Sequence, residues 1–143
     1  MKIKSISINE IEYTAHRLAV KFMTWNEPIP SFGTRFPNVL ESCLKVPFQT
    51  FDRKHFYRRI TGKGAVLFYL MVKNHPFQNG NKRIAVMTLL FFLYKNEKWL
   101  DMGNEELYRV AVGVAKSKPK SKDSIIRWLE ITLTKHLINY PSS

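Results

Sequence analysis

At 143 residues the chain is long enough to bury one hydrophobic core, and its 45% hydrophobic and 24% charged residues exclude a disordered polypeptide. Lys and Arg number 23 against 11 Asp and Glu, a formal charge of +12 that favours anionic partners: nucleotides, nucleic acid, anionic lipid or an acidic protein. The single cysteine, Cys43, excludes an internal disulfide and fits a reducing compartment.

Ser7 followed by Glu10 has the spacing of a capping box and opens a first helix. Ile8, Ile11, Ala15, Leu18 and Phe22 form its apolar stripe, and Pro28 and Pro30 place its end near Trp25. Residues 2–11 alternate polar and apolar positions without the apolar centre of a secretory signal, and residues 2–7 are the one stretch that reads as strand. Three prolines and a glycine make residues 26–37 a loop. A short helix over 38–45 follows and carries Cys43 as a buried core thiol. Residues 50–59 are ambiguous, with a helix as one reading: Phe51, Phe56 and Tyr57 alternate with Arg53, Lys54, His55, Arg58 and Arg59.

Residues 62–73 are apolar on nearly all sides, the character of a helix at the centre of a bundle. Pro76 and Gly80 interrupt it, and a second buried helix spans 82–95. Its apolar run, residues 84–94, is about half of what a bilayer span needs, so no membrane partner is expected. Asn104 reads as the cap of a further helix, with Glu105 and Glu106 complementing its dipole and Leu107, Val110, Ala111 and Val114 facing the core. A basic turn around Pro119 precedes a last helix over 121–139 that presents Ile125, Ile126, Leu129, Leu133 and Leu137. These elements predict an all-α fold, one domain over residues 1–143, with six or seven helices.

The loop between the two apolar helices holds the chemistry. His75 is a general base suited to neutral pH and can take a proton from a hydroxyl. Phe77 anchors the loop in the core, and Gly80 permits a backbone geometry closed to other residues. Gly80, Asn81, Lys82 and Arg83 open the second helix, so amides and two cations converge where a phosphate would bind. A base beside an anion cradle suits transfer of a phosphorus-centred group to a hydroxyl. No Gly-rich phosphate loop of the Walker type is present.

The run His75-Pro76-Phe77-Gln78-Asn79-Gly80-Asn81-Lys82-Arg83 resembles the signature of the Fic/Doc superfamily: His, any, Phe, any, Asp or Glu, Gly or Ala, Asn, Gly or Lys, Arg. His75, Phe77, Gly80, Asn81 and Arg83 match it. Lys82 stands where AMP-transferring Fic enzymes carry glycine and the Doc (death-on-curing) toxins carry lysine, so the resemblance is to the Doc branch. It implies a Fic/Doc-like helical bundle with the motif loop between two central buried helices. It also implies a cytoplasmic toxin of a toxin–antitoxin pair that phosphorylates a Thr or Ser hydroxyl from ATP. Translation elongation factor Tu is the acceptor it suggests, with translation inhibition as the outcome.

By this carry-over His75 activates the acceptor, Gly80, Asn81, Lys82 and Arg83 hold the nucleotide phosphates, and Lys73 adds charge to the transferred group. The segment from Pro28 to Pro37 corresponds to the flap that aligns the target. Asn79 departs from the pattern, standing where the family places an acidic ligand for Mg²⁺; an amide oxygen can ligate the ion but carries no charge.

Two alternatives stand beside the kinase. One is a Fic-type AMP transferase. The other is an inactive module that binds nucleic acid, for which Asn79 and the basic tract 53–59 are the cues; Phe56 and Tyr57 could stack bases, but core anchoring is the expectation for them. No glutamate has Ser or Thr four residues before it, so the self-inhibiting helix of many Fic enzymes is not expected, and a separate antitoxin acting in trans is.

Overall fold

The computed structural model describes residues 2–23 and 29–140. They are predominantly helical, as expected for an all-α Fic/Doc-like bundle, with six helical rods and four very short strands among the described residues. None of these helices is long and apolar enough to cross a membrane.

The first rod is a composite of α1 (Ile8–Glu10), a π-helical stretch (Ile11–His16) and α2 (Arg17–Phe22). The capping box forms as its spacing predicts: the Glu10 amide donates to Ser7 Oγ at 3.2 Å, and the Ser7 amide donates to Glu10 Oε1 at 3.0 Å. The expected stripe is corrected, because Leu18 is only half-buried and Phe22 is exposed. The core face is instead Ile11, Ala15, Ala19 and Met23, all fully buried. Steps of four outrun the 3.6-residue turn of an α-helix, and the wider π turn absorbs the excess. It also turns two successive residues inward, Ala15 and His16. The rod ends at Phe22; the expected terminus at Trp25, and Pro28 at the head of the flap, lie outside the described residues.

α3 (Pro37–Lys45) starts on a proline at its first turn, where the missing N–H costs nothing. It buries Leu40, Cys43 and Leu44. Residues 50–59 do not form a helix. They fold as a hairpin of β1 (Thr50–Phe51) and β2 (Lys54–His55), closed by Asp52 and Arg53, both at positive φ. The pair of left-handed residues matches the right-handed twist of the strands, as in two-residue hairpin turns generally. Tyr57 packs on the core as expected, but Phe56 does not.

α4 (Ile60–Lys73) and α5 (Asn81–Lys95) are the central pair. Every residue from Thr61 to Val72 is buried, since α4 packs on α5, α6 (Asn104–Lys116) and α7 (Lys122–His136) at once. At Gly64 a Cβ would lie 3.2 Å from Leu89 Cδ1, so the absence of a side chain lets α4 and α5 approach closely.

Three further expectations are corrected. Asn104 is the first helical residue of α6 rather than its cap; Gly103 takes that place without a side-chain bond. The last helix stops at His136, and residues up to Asn139 leave it as β4 (Leu137–Asn139), antiparallel to β3 (Lys98–Leu100). Residues 2–7 join no strand. They are stapled to the end of α5, where the Asn96 side chain bonds both the amide (2.7 Å) and the carbonyl (3.0 Å) of Lys4. Lys95 adds bonds to the Ser5 carbonyl and the Glu10 carboxylate at 2.7 and 2.8 Å.

Candidate active site

The motif loop spans the gap between the two central helices. Asn74 ends α4, and His75 follows with φ of +51°, a left-handed turn uncommon for residues with a side chain, though less so for histidine than for most. Gly80 caps α5 with φ 75° and ψ 14°. A Cβ at Gly80 would meet Ile29 Cγ1 at 2.9 Å and Arg83 Nη2 at 3.5 Å, so both its backbone angle and its surroundings require glycine.

Asn81 fixes the curve of the loop. Its Oδ1 accepts from the Phe77 amide and its Nδ2 donates to the Phe77 carbonyl, both at 2.9 Å. One side chain thus satisfies both polar groups of a residue that is 1% exposed. The first helical bond of α5 runs from the Ile84 amide to the Gly80 carbonyl, and no side chain caps the turn before it. That leaves the positive end of a 15-residue helix facing the loop.

Beneath the loop lies an aromatic foundation. The Phe77 ring stacks near His16 (5.7 Å between centroids) and Phe32 (5.9 Å), and His16 meets Phe32 edge-on at 5.4 Å. His16 Nε2 also hydrogen-bonds the Pro30 carbonyl at 2.9 Å. The Phe36 amide donates to the Pro76 carbonyl at 2.9 Å, tying the flap directly to the motif loop. Arg35 lies on the flap with its guanidinium 4.4 Å over the Phe32 ring and Nη1 donating to the Phe32 carbonyl at 3.3 Å. Its Nε is buried without a hydrogen-bond partner among the described residues.

The predicted site residues divide into two groups. His75 is exposed and Lys82 half-buried, and among the described residues no hydrogen bond or ion pair engages either side chain. Both are available to a ligand. Asn81 and Gly80 shape the loop. Arg83 is 3% exposed and donates from Nη1 to the Met23 carbonyl at 3.0 Å, at the end of the first rod. Lys73 points elsewhere: its ammonium donates to the carbonyls of Ser117 (2.6 Å) and Ala115 (3.3 Å), capping the C-terminal end of α6. In this arrangement Lys73 supports the loop's base rather than facing a phosphate.

Asn79 is half-buried. No carboxylate occurs from Lys73 to Arg83, and no three His, Cys, Asp or Glu side chains converge among the described residues. The loop therefore offers a divalent cation only neutral oxygens, while it offers an anion a helix terminus and Lys82. Its donor set suits an anion and gives a divalent cation little hold of its own.

Two residues that position the site escape a reading of the sequence. His16 has no motif around it and becomes inward-facing only because of the π turn. Arg35 carries a weak signal, a cation in a loop punctuated by Gly33 and Pro37 that ends beside the motif.

A sequence model described as the Fic/DOC family matches residues 6–93, well over half of the chain. That span contains the flap, the motif loop, α4 and all but the last two residues of α5. No curated protein and no solved structure matches the chain.

Proposed function

The chain belongs to the Fic/DOC family, and from that premise we propose that it transfers the γ-phosphate of ATP to a Ser or Thr hydroxyl of a protein. The observation that carries this reading is the pairing of an exposed, unengaged His75 with Lys82 at the uncapped start of α5, across one loop held by Asn81. His75 takes the proton of the acceptor hydroxyl, whose oxygen bonds to the γ-phosphorus as the bond to the β-phosphate oxygen breaks and ADP leaves. The helix terminus and Lys82 bind the phosphate oxygens and carry the charge that grows on them. Lys82 favours γ over α transfer, because a side chain there occupies room that a glycine would leave for a nucleotide seated the other way round.

A Mg²⁺ ion accompanying the nucleotide would be held chiefly by the phosphates and only weakly by the neutral amide of Asn79. Elongation factor Tu is the first acceptor to test, and the +12 charge suits an acidic antitoxin acting in trans.

The test is paired labelling in cell lysate with ATP carrying radiolabel at either the γ- or the α-phosphate. Label on a protein band from the γ position alone, lost in His75→Ala, is the expected result. Label from the α position instead assigns AMP transfer. Equal labelling by His75→Ala and the unaltered chain refutes the role of the base. Asn79→Asp is expected to raise the Mg²⁺-dependent rate, since it gives the loop its missing carboxylate.

A further inference from the structure

Away from the motif, one surface has the chemistry of a binding site and no role in the reaction above. In the hairpin, the rings of Phe51 and Phe56 are 73% and 60% exposed. They lie 6.3 Å apart with 36° between their planes, so each keeps an open face. Four cations flank them within the same ten residues: Arg53, Lys54, Arg58 and Arg59, all exposed, against the single carboxylate of Asp52.

The hairpin is held in place from below. The buried Lys63 donates to the Pro47 carbonyl at 3.2 Å and bonds His55 Nδ1 at 3.1 Å, with its ammonium 4.7 Å over the Phe48 ring. The Phe56 amide extends the ladder to the Gln49 carbonyl at 3.1 Å. The two rings thus project from an anchored ribbon. Arg59, at the foot of the hairpin, also lines a groove of about 420 Å³ along α7, where Arg127 and Lys135 stand against one carboxylate, Glu130. Arg59 thus joins the cations of the hairpin to those of the groove.

We propose that this surface binds single-stranded nucleic acid, with bases stacked on Phe51 and Phe56 and the backbone following the cations into the groove. Exposed rings interleaved with cations are the arrangement that single-strand binders use, because every base has a π-face and every linkage a charge. The one-sided charge around the rings, four cations against one carboxylate, suits a polyanion of uniform charge better than a protein surface of mixed charge. Arg53 points the same way: it occupies a left-handed turn position that favours glycine or asparagine, placing a cation at the tip against backbone preference.

The experiment is fluorescence anisotropy of the full chain with labelled oligouridylate and oligothymidylate of about ten nucleotides, and with a duplex of equal length. Tight binding of either single strand is the expected result, and a preference between them identifies RNA or DNA as the source. Phe51→Ala/Phe56→Ala should weaken single-strand binding by about tenfold or more per ring while leaving the salt dependence unchanged. Arg58→Gln/Arg59→Gln should lower the slope of log affinity against log salt by about 1.4.

Should the alanine pair fail to fold by circular dichroism, Phe51→Leu/Phe56→Leu keeps apolar bulk and removes the π-faces, with the same loss expected. Unchanged affinity in a folded ring variant overturns the proposal, as does duplex binding equal to single-strand binding. Displacement of the oligonucleotide by polyglutamate at equal charge overturns it in favour of an acidic protein. His75→Ala should bind as the unaltered chain does, which separates this surface from the transfer reaction.

Discussion

Removing the Asn81 side chain isolates what shapes the motif loop. Asn81→Ala deletes two hydrogen bonds of 2.9 Å and strands the amide and carbonyl of Phe77 in a site that excludes water. A net value near 1 kcal/mol for each bond, with a further penalty for the buried orphan groups, gives a loss of about 2–3 kcal/mol. For a domain of this size that lowers the melting temperature by roughly 5–10 °C, and the fold survives because global stability is typically about 5–15 kcal/mol.

Hydrogen exchange at the Phe77 amide reads the effect locally. Each 1.4 kcal/mol is about a tenfold change, so exchange should accelerate by roughly 30- to 150-fold, alongside loss of transfer activity. Asn81→Asp keeps an acceptor for the Phe77 amide but sets a carboxylate oxygen against the Phe77 carbonyl, so it should recover part of the protection and none of the activity. A Phe77 amide that exchanges at the unaltered rate in Asn81→Ala would refute the assignment of Asn81 as the loop's clamp.

Two further outcomes follow from buried titratable groups. Burial lowers the Lys63 pKa from its ordinary 10.5, so between that lowered value and 10.5 the unfolded chain holds a proton the folded chain has lost, and stability rises with pH. Lys63→Met has no such proton and loses the charged bond to the Pro47 carbonyl, about 1.5–3 kcal/mol at neutral pH, so the gap should widen toward pH 10.5. A gap in urea-melt stability that stays constant from neutral to alkaline pH contradicts this. Burial pushes the Cys43 thiol up to about 12, and the residue is 0% exposed, so iodoacetamide at mildly alkaline pH should label it only as the chain unfolds. Labelling of the native protein at a rate indifferent to denaturant would show the thiol to be accessible.

What could be read in advance was what is local in the chain. The capping box at Ser7 and Glu10 and the left-handed backbone that calls for glycine at position 80 are local, while the crowding of Gly80 by Ile29 is not. The misreadings have distant or subtle causes. Residues 50–59 hide their hairpin because its turn is Asp52-Arg53 rather than a glycine-bearing pair, and the strands are too short to show alternation. The end of the last helix is decided by pairing between Leu137–Asn139 and Lys98–Leu100, some 40 positions away, which no periodicity reveals. The π turn shifts the buried face from Leu18 to Ala19, because it changes the period on which the stripe was laid out. At the site, the motif identifies the residues, while the partners of Lys73 and Arg83 are set by where the ends of α6 and the first rod arrive.

Those partners bear on the phosphate binding proposed for this loop. Lys73 and Arg83 both donate to carbonyls at the C-terminal end of a helix, where the dipole and the unpaired acceptors favour a cation. In the proposed reaction Arg83 would not have to abandon that carbonyl to meet a phosphate, since Nη1 carries two N–H donors and the guanidinium five in all. The bond to Met23 instead tethers the guanidinium to the end of the first rod. A bond from a charged group contributes about 1.5–3 kcal/mol, so a phosphate that drew Nη1 away entirely would have to replace that much before any affinity was gained. Lys82 and the amides at the start of α5 carry no such tether to the rod. In the proposed reaction they would make the first contact with a phosphate, with Arg83 adding donors from where the Met23 carbonyl holds it.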